Sequence, residues 1–536
     1  MLLAIKFWFK SLRERKLYPF LVIIGAGLAA WGPFLAAGFM NDDIQMIGAP
    51  PASVTELFSP FRSLNVWEIY WRPVTALWLK GQAYLFGLEP FIFRLTTLIL
   101  FIAAALLFFR LAKKLGLNRN ASLLASLIFI LVPSHELNAG WISANGDLLA
   151  AIFLILSFGG WLDFFRRESP SFKGMISPTI LLLSAMLSKE LAYAGVALPL
   201  IAYLSASNER KRFSSASYGV IINALSVALI LTYRTLFIGS DLFSAPHIQD
   251  VTAKSLVQNF LLYLPASFIT PDIMEVWYFK FTRPEIMLSV LLIAAVSSFT
   301  LIRVWQHRKE VEKSIVVFGL LWFIIFIVPV TPVFMRWYPF TASVGLIIAA
   351  GYSLEMAAGK YKIVIALSLA GLAVYNSANT ISWYHAGELY KEQIGIIRDE
   401  VDPAELSDTL YMAALPDKME RVAVMKIGIN ETLEYALGRK PVPNRAILRC
   451  EIAGHRERVR IVSQDSSGIE LELKNGRFIL EGMRSKAVIN NEAAVQRTND
   501  YDITVRTDAR DDLITSRAVI KFKDSFRNKK LIVLSK

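Results

Sequence analysis

Asp42 and Asp43 stand side by side just past the first long apolar run, residues 18–38, where a chain leaving a bilayer meets water. Adjacent carboxylates at a lipid boundary repel each other and resist desolvation, so they suit water, a cation or a substrate able to give up a proton. They offer a general base, or two hard oxygen ligands for a divalent cation such as Mg or Mn; a solvated helix end accounts for the same pair without chemistry. Arg72 precedes Pro73, which biases it away from helical geometry and would aim its guanidinium from a fixed turn. An interfacial anchor whose charge snorkels to water fits Arg72 as well. Lys189 and Glu190 lie in MLSKELA between two short apolar runs, where an ammonium can hold a phosphate, tune a carboxylate, or simply pair with its neighbour. Arg336 sits in VTPVFMRWYPF beside Trp337 and Tyr338, a setting suited to a phosphate or diphosphate lipid headgroup. Pro133, His135 and Glu136, followed by Trp141 and Asp147, put three polar groups around one short connection. Helix capping accounts for His135 and Glu136, and the helix dipole for Asp147, without a site.

The elements that carry these residues are set by composition. Of 536 residues 54% are hydrophobic and 19% charged, with a mean hydropathy of +0.45, which excludes an ordinary soluble domain and a disordered chain alike. A mainly α polytopic membrane protein is expected. Apolar runs give about eleven spans, centred near residues 28, 101, 127, 155, 182, 198, 227, 294, 323, 349 and 371, those at 182 and 198 being short. Lys6, Lys10, Arg13, Arg15 and Lys16 precede the first run, which reads as an uncleaved signal anchor with a cytoplasmic N-terminus. Further basic clusters at 110–119, 166–173, 210–212, 303–313 and 360–362 fall on the same side. Asp42 and Asp43 then face outward, and the loop at 39–90, rich in Trp, Tyr and Leu, reads as helices lying on the membrane surface.

The formal charge of +13 is carried largely by those cytoplasmic loops, so membrane topology and anionic lipid explain it and nucleic-acid binding is rejected. Cys450 stands alone; it permits no intramolecular disulfide or cysteine-based zinc site and reads as a small buried apolar residue. Charge rises after residue 382, dividing the chain into a membrane domain, 1–382, and a small extracytoplasmic α+β or β-rich domain, 383–536. Within the latter, residues 384–400 and 425–439 read as helices, the second with Asn430 as its cap. Ile469, Leu471 and Leu473 alternate with charged residues up to Asn475-Gly476, which predicts a hairpin into Arg477–Leu480. Strands are also expected at 501–507, 518–523 and 531–534, and no sequence repeat is present.

The succession NDDIQMI, YWRPVTALWLKGQAYLFGLEPFIFRLTTLILF, HELNAGWISANGDLLAAIFLIL, LSKELAYAGVALPL and RWYPFTASVGL resembles the GT-C glycosyltransferases that use polyprenyl-phosphate sugars. The nearest likeness is to the protein O-mannosyltransferase-like branch that includes the transmembrane and tetratricopeptide-repeat mannosyltransferases, over residues 18 to about 380. The resemblance implies transfer of a sugar from a polyprenyl-phosphate donor to a lipid, protein or glycan hydroxyl at the outer face of a bacterial inner membrane. It assigns Asp42 to activation of the acceptor, with Asp43 beside it. It gives Arg72, Lys189 and Arg336 to the carrier phosphate, and His135, Glu136, Asp147, Glu190, Trp337 and Tyr338 to the pocket lining. Two departures stand out: Ala144-Asn145-Gly146-Asp147 replaces the Gly-Arg-Thr-Asp common before the fourth span, removing a basic contact, and a β-rich tail stands in place of tetratricopeptide repeats. A transporter or flippase would instead place charges near the bilayer midplane or show an inverted repeat, and a scaffold protein would depend on the tail rather than on Asp42.

Overall fold

The computed structural model describes residues 16–63, 70–167, 171–206, 213–239, 251–269, 313–402, 409–420, 422–438, 443–480, 493–510, 513–526 and 529–536. The span expected near 294, most of the loop at 239–284, and the basic clusters at 6–15, 210–212 and 303–309 lie outside the described residues. The chain divides into two compact units: Met1–Gly32, Pro50–Gly87 and Ile92–Ala378 form the first, and Pro33–Ala49, Leu88–Phe91 and Asn379–Lys536 the second.

The first unit is helical. Among the described residues five helices are long and apolar enough to cross a membrane: Tyr18–Ala36, Pro90–Lys114, Ile142–Arg166, Phe213–Ile238 and Ile363–Glu400. A sixth is reached if Arg119–Leu131 and Pro133–Gly140, bent by 54° at Val132, count as one span. Pro133 explains that bend, because it lacks an N–H and disfavours helical geometry in the residue before it. The runs expected at 182 and 198 are the short helices Lys173–Met186 and Glu190–Ser205, separated by a turn at 187–189. Asn145–Arg166 is buried along most of its length and packs against both Lys173–Met186 and Leu198–Ser205.

One expectation fails outright. The two spans placed near 349 and 371, with a basic loop between them at 360–362, are a single helix, Pro339–Glu400, of 62 residues and about 93 Å at 1.5 Å per residue. Past the proline at its first position the segment contains no other proline, and its Ala, Leu, Lys and Glu content carries the helix through six glycines, Gly359 before Lys360 among them. The charges at Lys360 and Lys362 mark no turn. The count of eleven spans, and the sidedness of the tail inferred from it, lose their basis at this point.

The second unit is α+β. Strands β1 (Leu410–Ala413), β4 (Asn444–Ala446) and β12 (Leu531–Val533) make a parallel sheet of order β12-β1-β4. Strands β2 (Leu415–Met419), β3 (Val422–Ala423), β5 (Leu448–Ile452) and β8 (Gly476–Leu480) form a second sheet, and an antiparallel third has the order β6-β7-β11-β10-β9. In that third sheet β6 is Val459–Asp465, β7 Gly468–Lys474, β9 Ala494–Arg497, β10 Tyr501–Arg510 and β11 Leu513–Phe522. Strands thus occupy all the expected positions, and Ile469, Leu471 and Leu473 are buried as their alternation requires. The hairpin is not formed: β7 pairs with β6 and β11, whereas β8 pairs with β5. Asn475 does take a left-handed turn conformation, φ 52°, but the chain uses it to change sheets. Alternation fixes which face of a strand is buried and leaves its partner open. The helix expected at 425–439 is Ile429–Leu437, capped by Gly428 rather than by Asn430. Cys450 is fully buried on β5, and burial pushes its thiol up to about 12.

Candidate functional site

Four chain segments of the first unit end at one cluster of charge. Arg72 is the residue before the helix Pro73–Phe86, held out of helical geometry at ψ 64° as the following proline requires. Its guanidinium grips Glu190, Nε donating to Oε2 at 2.9 Å and Nη2 lying 2.8 Å from the same carboxylate. Glu190 opens the second short apolar helix, and Arg234, at the end of Phe213–Tyr233, approaches it to 3.9 Å. Lys189 donates from Nζ to Asp147 Oδ2 at 2.8 Å, both groups being almost fully buried. Asp147 occupies the first turn of Asn145–Arg166, where the helix dipole favours a carboxylate. Burial pushes the Lys189 ammonium below its usual range, and Asp147 acts in the opposite direction.

These pairs sit where they do because the turn at 187–189 is pinned to its neighbours. Val74 donates its N–H to Leu187 O at 3.1 Å and Thr75 Oγ1 donates to Ser188 O at 2.8 Å, fixing the start of Pro73–Phe86 against the turn. Gly146 allows the approach, since a Cβ there would lie 3.1 Å from both Ser188 O and Thr75 Oγ1. The glycine in Ala144-Asn145-Gly146-Asp147 thus has a packing role.

Aromatic rings border the cluster. Tyr70 lies under the Arg72 guanidinium, 4.4 Å from Cζ to ring centre, and the Tyr338 ring is 5.9 Å from Lys189 Nζ. Trp337 stacks edge-on with Trp141 at 5.0 Å and with Tyr338 at 5.8 Å. Arg336 is half-buried in the same turn. Arg72, Asp147, Lys189, Glu190 and Tyr338, each singled out from sequence, therefore meet in one place. Arg234 was missed. A lone cation at the end of an apolar run is what an interfacial anchor looks like, so its only signal was position.

His135 is elsewhere. It is fully buried among Phe101, Phe129 and Phe340, with ring separations of 4.8–6.2 Å. Both nitrogens are occupied, Nδ1 by Phe129 O at 2.8 Å and Nε2 by Ser343 Oγ at 3.0 Å. The structure places it in an aromatic core rather than with the charges. Glu136 begins the short helix Glu136–Gly140 and is nearly buried.

Asp42 and Asp43 belong to the second unit. Asp42 precedes the helix Asp43–Ile47 and Asp43 opens it, and both are buried. Met40 N donates to Asp43 Oδ2 at 3.1 Å, and Asn41 Nδ2 donates to Asp42 Oδ1 at 3.2 Å. Asn41, in the left-handed region at φ 51°, also accepts at Oδ1 from Ile427 N at 3.2 Å and donates its own N–H to Val424 O. Gly428, at φ 76°, closes the packing: a Cβ there would lie 3.1 Å from Asn41 O and 3.3 Å from the Asp42 Cα. Gln45 completes the contact by donating to Glu431 Oε1 at 3.1 Å. The segment that carries the acidic pair is thus tied to residues 424–431, far along the sequence in the same unit.

No family model matches the chain. It is similar to the human protein O-mannosyl-transferase TMTC1, 28% identical over 192 residues that make up 32% of this chain and 21% of the relative. It is also similar to the human protein O-mannosyl-transferase TMTC3, 26% identical over 160 residues, 28% of this chain and 17% of that one. The chain thus matches about a fifth of the length of these curated relatives. Among solved structures, ArnT from Cupriavidus metallidurans in the apo state superimposes with a TM-score of 0.47 at 12% identity, over 83% of this chain and 96% of that one. The archaeal oligosaccharyltransferase AglB from Archaeoglobus fulgidus, in complex with an inhibitory peptide and a dolichol-phosphate, gives 0.47 at 12% identity, over 82% and 65%.

Proposed function

We propose that this integral membrane protein, a relative of the GT-C protein O-mannosyl-transferases, transfers a sugar from a polyprenyl-phosphate carrier to an acceptor hydroxyl on the outer face of a bacterial inner membrane. The observation that carries the proposal is the buried cluster of Arg72, Arg234 and Lys189 with Glu190 and Asp147, three cations against two carboxylates at the ends of apolar helices. Such a cluster suits an anionic headgroup presented from the lipid phase, because cations held in a low dielectric act strongly on developing phosphate charge.

In the reaction the acceptor oxygen bonds to the anomeric carbon as the bond from that carbon to the carrier phosphate breaks. The departing electron pair goes to the phosphate oxygen, and the hydroxyl proton goes to a base. Arg72 and Lys189, with Arg336 in the adjoining turn, take the phosphate; Glu190 and Asp147 orient those cations, and Tyr338 and Trp337 line the donor pocket. The resemblance gives the role of base to Asp42, whose Oδ1 accepts a hydrogen bond from Asn41 Nδ2 at 3.2 Å. Asp42 and Asp43 offer two of the six or more oxygens a Mg or Mn ion prefers, and the chelator arm of the test asks whether an ion completes that shell.

The test is release of free carrier phosphate from a panel of polyprenyl-phosphate sugars by the purified protein, with and without chelator. Asp42→Asn is expected to insert normally and to slow transfer by about 10²–10⁴-fold. Undiminished transfer by that variant removes Asp42 from the role, and absence of release with every donor refutes the reading as a whole.

A further inference from the structure

Two of the five histidines in the chain lie against each other and against one carboxylate, far along the sequence from the residues discussed above. His385 and His455 stack with ring centres 4.0 Å apart and planes 17° from parallel. Glu420 Oε1 lies 3.8 Å from Nδ1 of His385 and 4.0 Å from Nδ1 of His455. One ligand atom from each of the three falls within 4.8 Å of the others. We propose that His385, Glu420 and His455 form a site for a zinc-class divalent cation in the second unit.

Three observations favour coordination over a chance contact. The three residues come from separate elements, the helix Pro339–Glu400, the turn between β2 and β3, and the turn after β5, and bonds outside the trio hold those elements together. Arg458 binds Glu392, two turns beyond His385, at 2.7 Å and so holds the His455 turn against the helix. Glu420 N donates to Ile452 O at 2.6 Å, tying the carboxylate-bearing turn to β5. Glu420 also occupies the left-handed region at φ 54°, a conformation that costs a non-glycine residue, retained here where it presents a carboxylate between two imidazoles. Finally, Nδ1 of His385 is buried and makes no hydrogen bond, a condition that a ligated nitrogen resolves.

The donor set selects the ion. Two imidazoles and one carboxylate suit Zn²⁺ or its late first-row neighbours and do not suit Mg²⁺ or Ca²⁺, which prefer an all-oxygen shell. Tetrahedral Zn²⁺ with bonds near 2.1 Å places its ligand atoms about 3.4 Å apart, so capture requires the two contacts of Glu420 with the imidazoles to close by about half an ångström. The stacked rings must also rotate, because parallel imidazoles send their lone pairs side by side. His455, with 44% of its side chain exposed, has the freedom to do so. Three protein ligands leave the fourth position to water. The ion would clamp the C-terminal part of the long helix onto the two β turns.

The experiment uses full-length protein in detergent, free of any histidine tag and stripped with EDTA, titrated with Zn²⁺ against a chromogenic chelator. The wild type is expected to take up one equivalent, and His455→Asn and Glu420→Gln to lose it. Co²⁺ substitution should give the visible absorption of a low-coordinate centre in the wild type alone. His455 is exposed enough for its variant to fold, and an unchanged thermal midpoint of the metal-free protein confirms that. Absence of Zn²⁺ uptake by the wild type, or equal uptake by wild type and both variants, overturns the proposal.

Discussion

Lys189 and His135 occupy similar places in the chain, each a polar residue in a tight turn where an apolar helix ends, yet the structure gives them opposite surroundings. Lys189 is paired with Asp147 and sits beside Glu190, Arg72 and the Tyr338 ring. His135 is enclosed by three phenylalanines, with a carbonyl and a hydroxyl on its two nitrogens. What separates them is the company of other charges. A buried neutral group needs only as many partners as it has polar atoms, and two hydrogen bonds complete His135. A buried ion needs a counter-ion, the counter-ion recruits a second cation, and the charges accumulate in one place.

The largest expected effect lies on the charged side. Glu190→Gln leaves Arg72 and Arg234 without the carboxylate that joins them and is expected to cost roughly 3–5 kcal/mol, seen as a large fall in the thermal midpoint in detergent. A midpoint within a degree of wild type would show that the cluster is solvated and the contrast with His135 superficial. Lys189→Met should destabilise by a smaller amount, because one buried carboxylate is stranded. The double variant Lys189→Met with Asp147→Leu should recover most of that loss while still failing to take up the donor lipid. This pattern separates a structural ion pair from a ligand-binding cation, since recovery of both properties would make the pair structural only. His135→Phe strips partners from Phe129 O and Ser343 Oγ and should cost about 1–3 kcal/mol with no change in KM for the donor. A raised KM would return His135 to the site.

How much of this was legible follows from the same physics. An ion between apolar runs is conspicuous because it is expensive, which marks Lys189 and Glu190, whereas the following proline marks Arg72 and the short polar connection marks Asp147. Their pairing across 118 residues, Arg72 to Glu190, depends on how helices pack and left no mark in the sequence. His135 drew notice for the same reason as Lys189, since a sequence displays the polar group and conceals its neighbours. Arg234 escaped because the end of an apolar run is an ordinary place for arginine. In the second unit, alternation located β7 and β8, but Asn475-Gly476 suggested a pairing that the sheets do not make. The long helix Pro339–Glu400 shows the converse, since Gly359, Lys360 and Lys362 have the composition of a loop and yet the helix runs through them. The Asp42–Asp43 pair was visible as charge, and the embrace of the adjoining Asn41 by Val424, Ile427 and Gly428 was not.

That embrace bears on the order in which the protein is made. Asn41 and Ile427 are 386 residues apart, as are Gln45 and Glu431, so the acidic segment emerges from the ribosome long before the residues that hold it. At about 5–20 residues per second the wait is on the order of 20–80 seconds. Throughout that interval the segment around the two aspartates lacks its native packing, which forms only after translation has passed the region around Glu431.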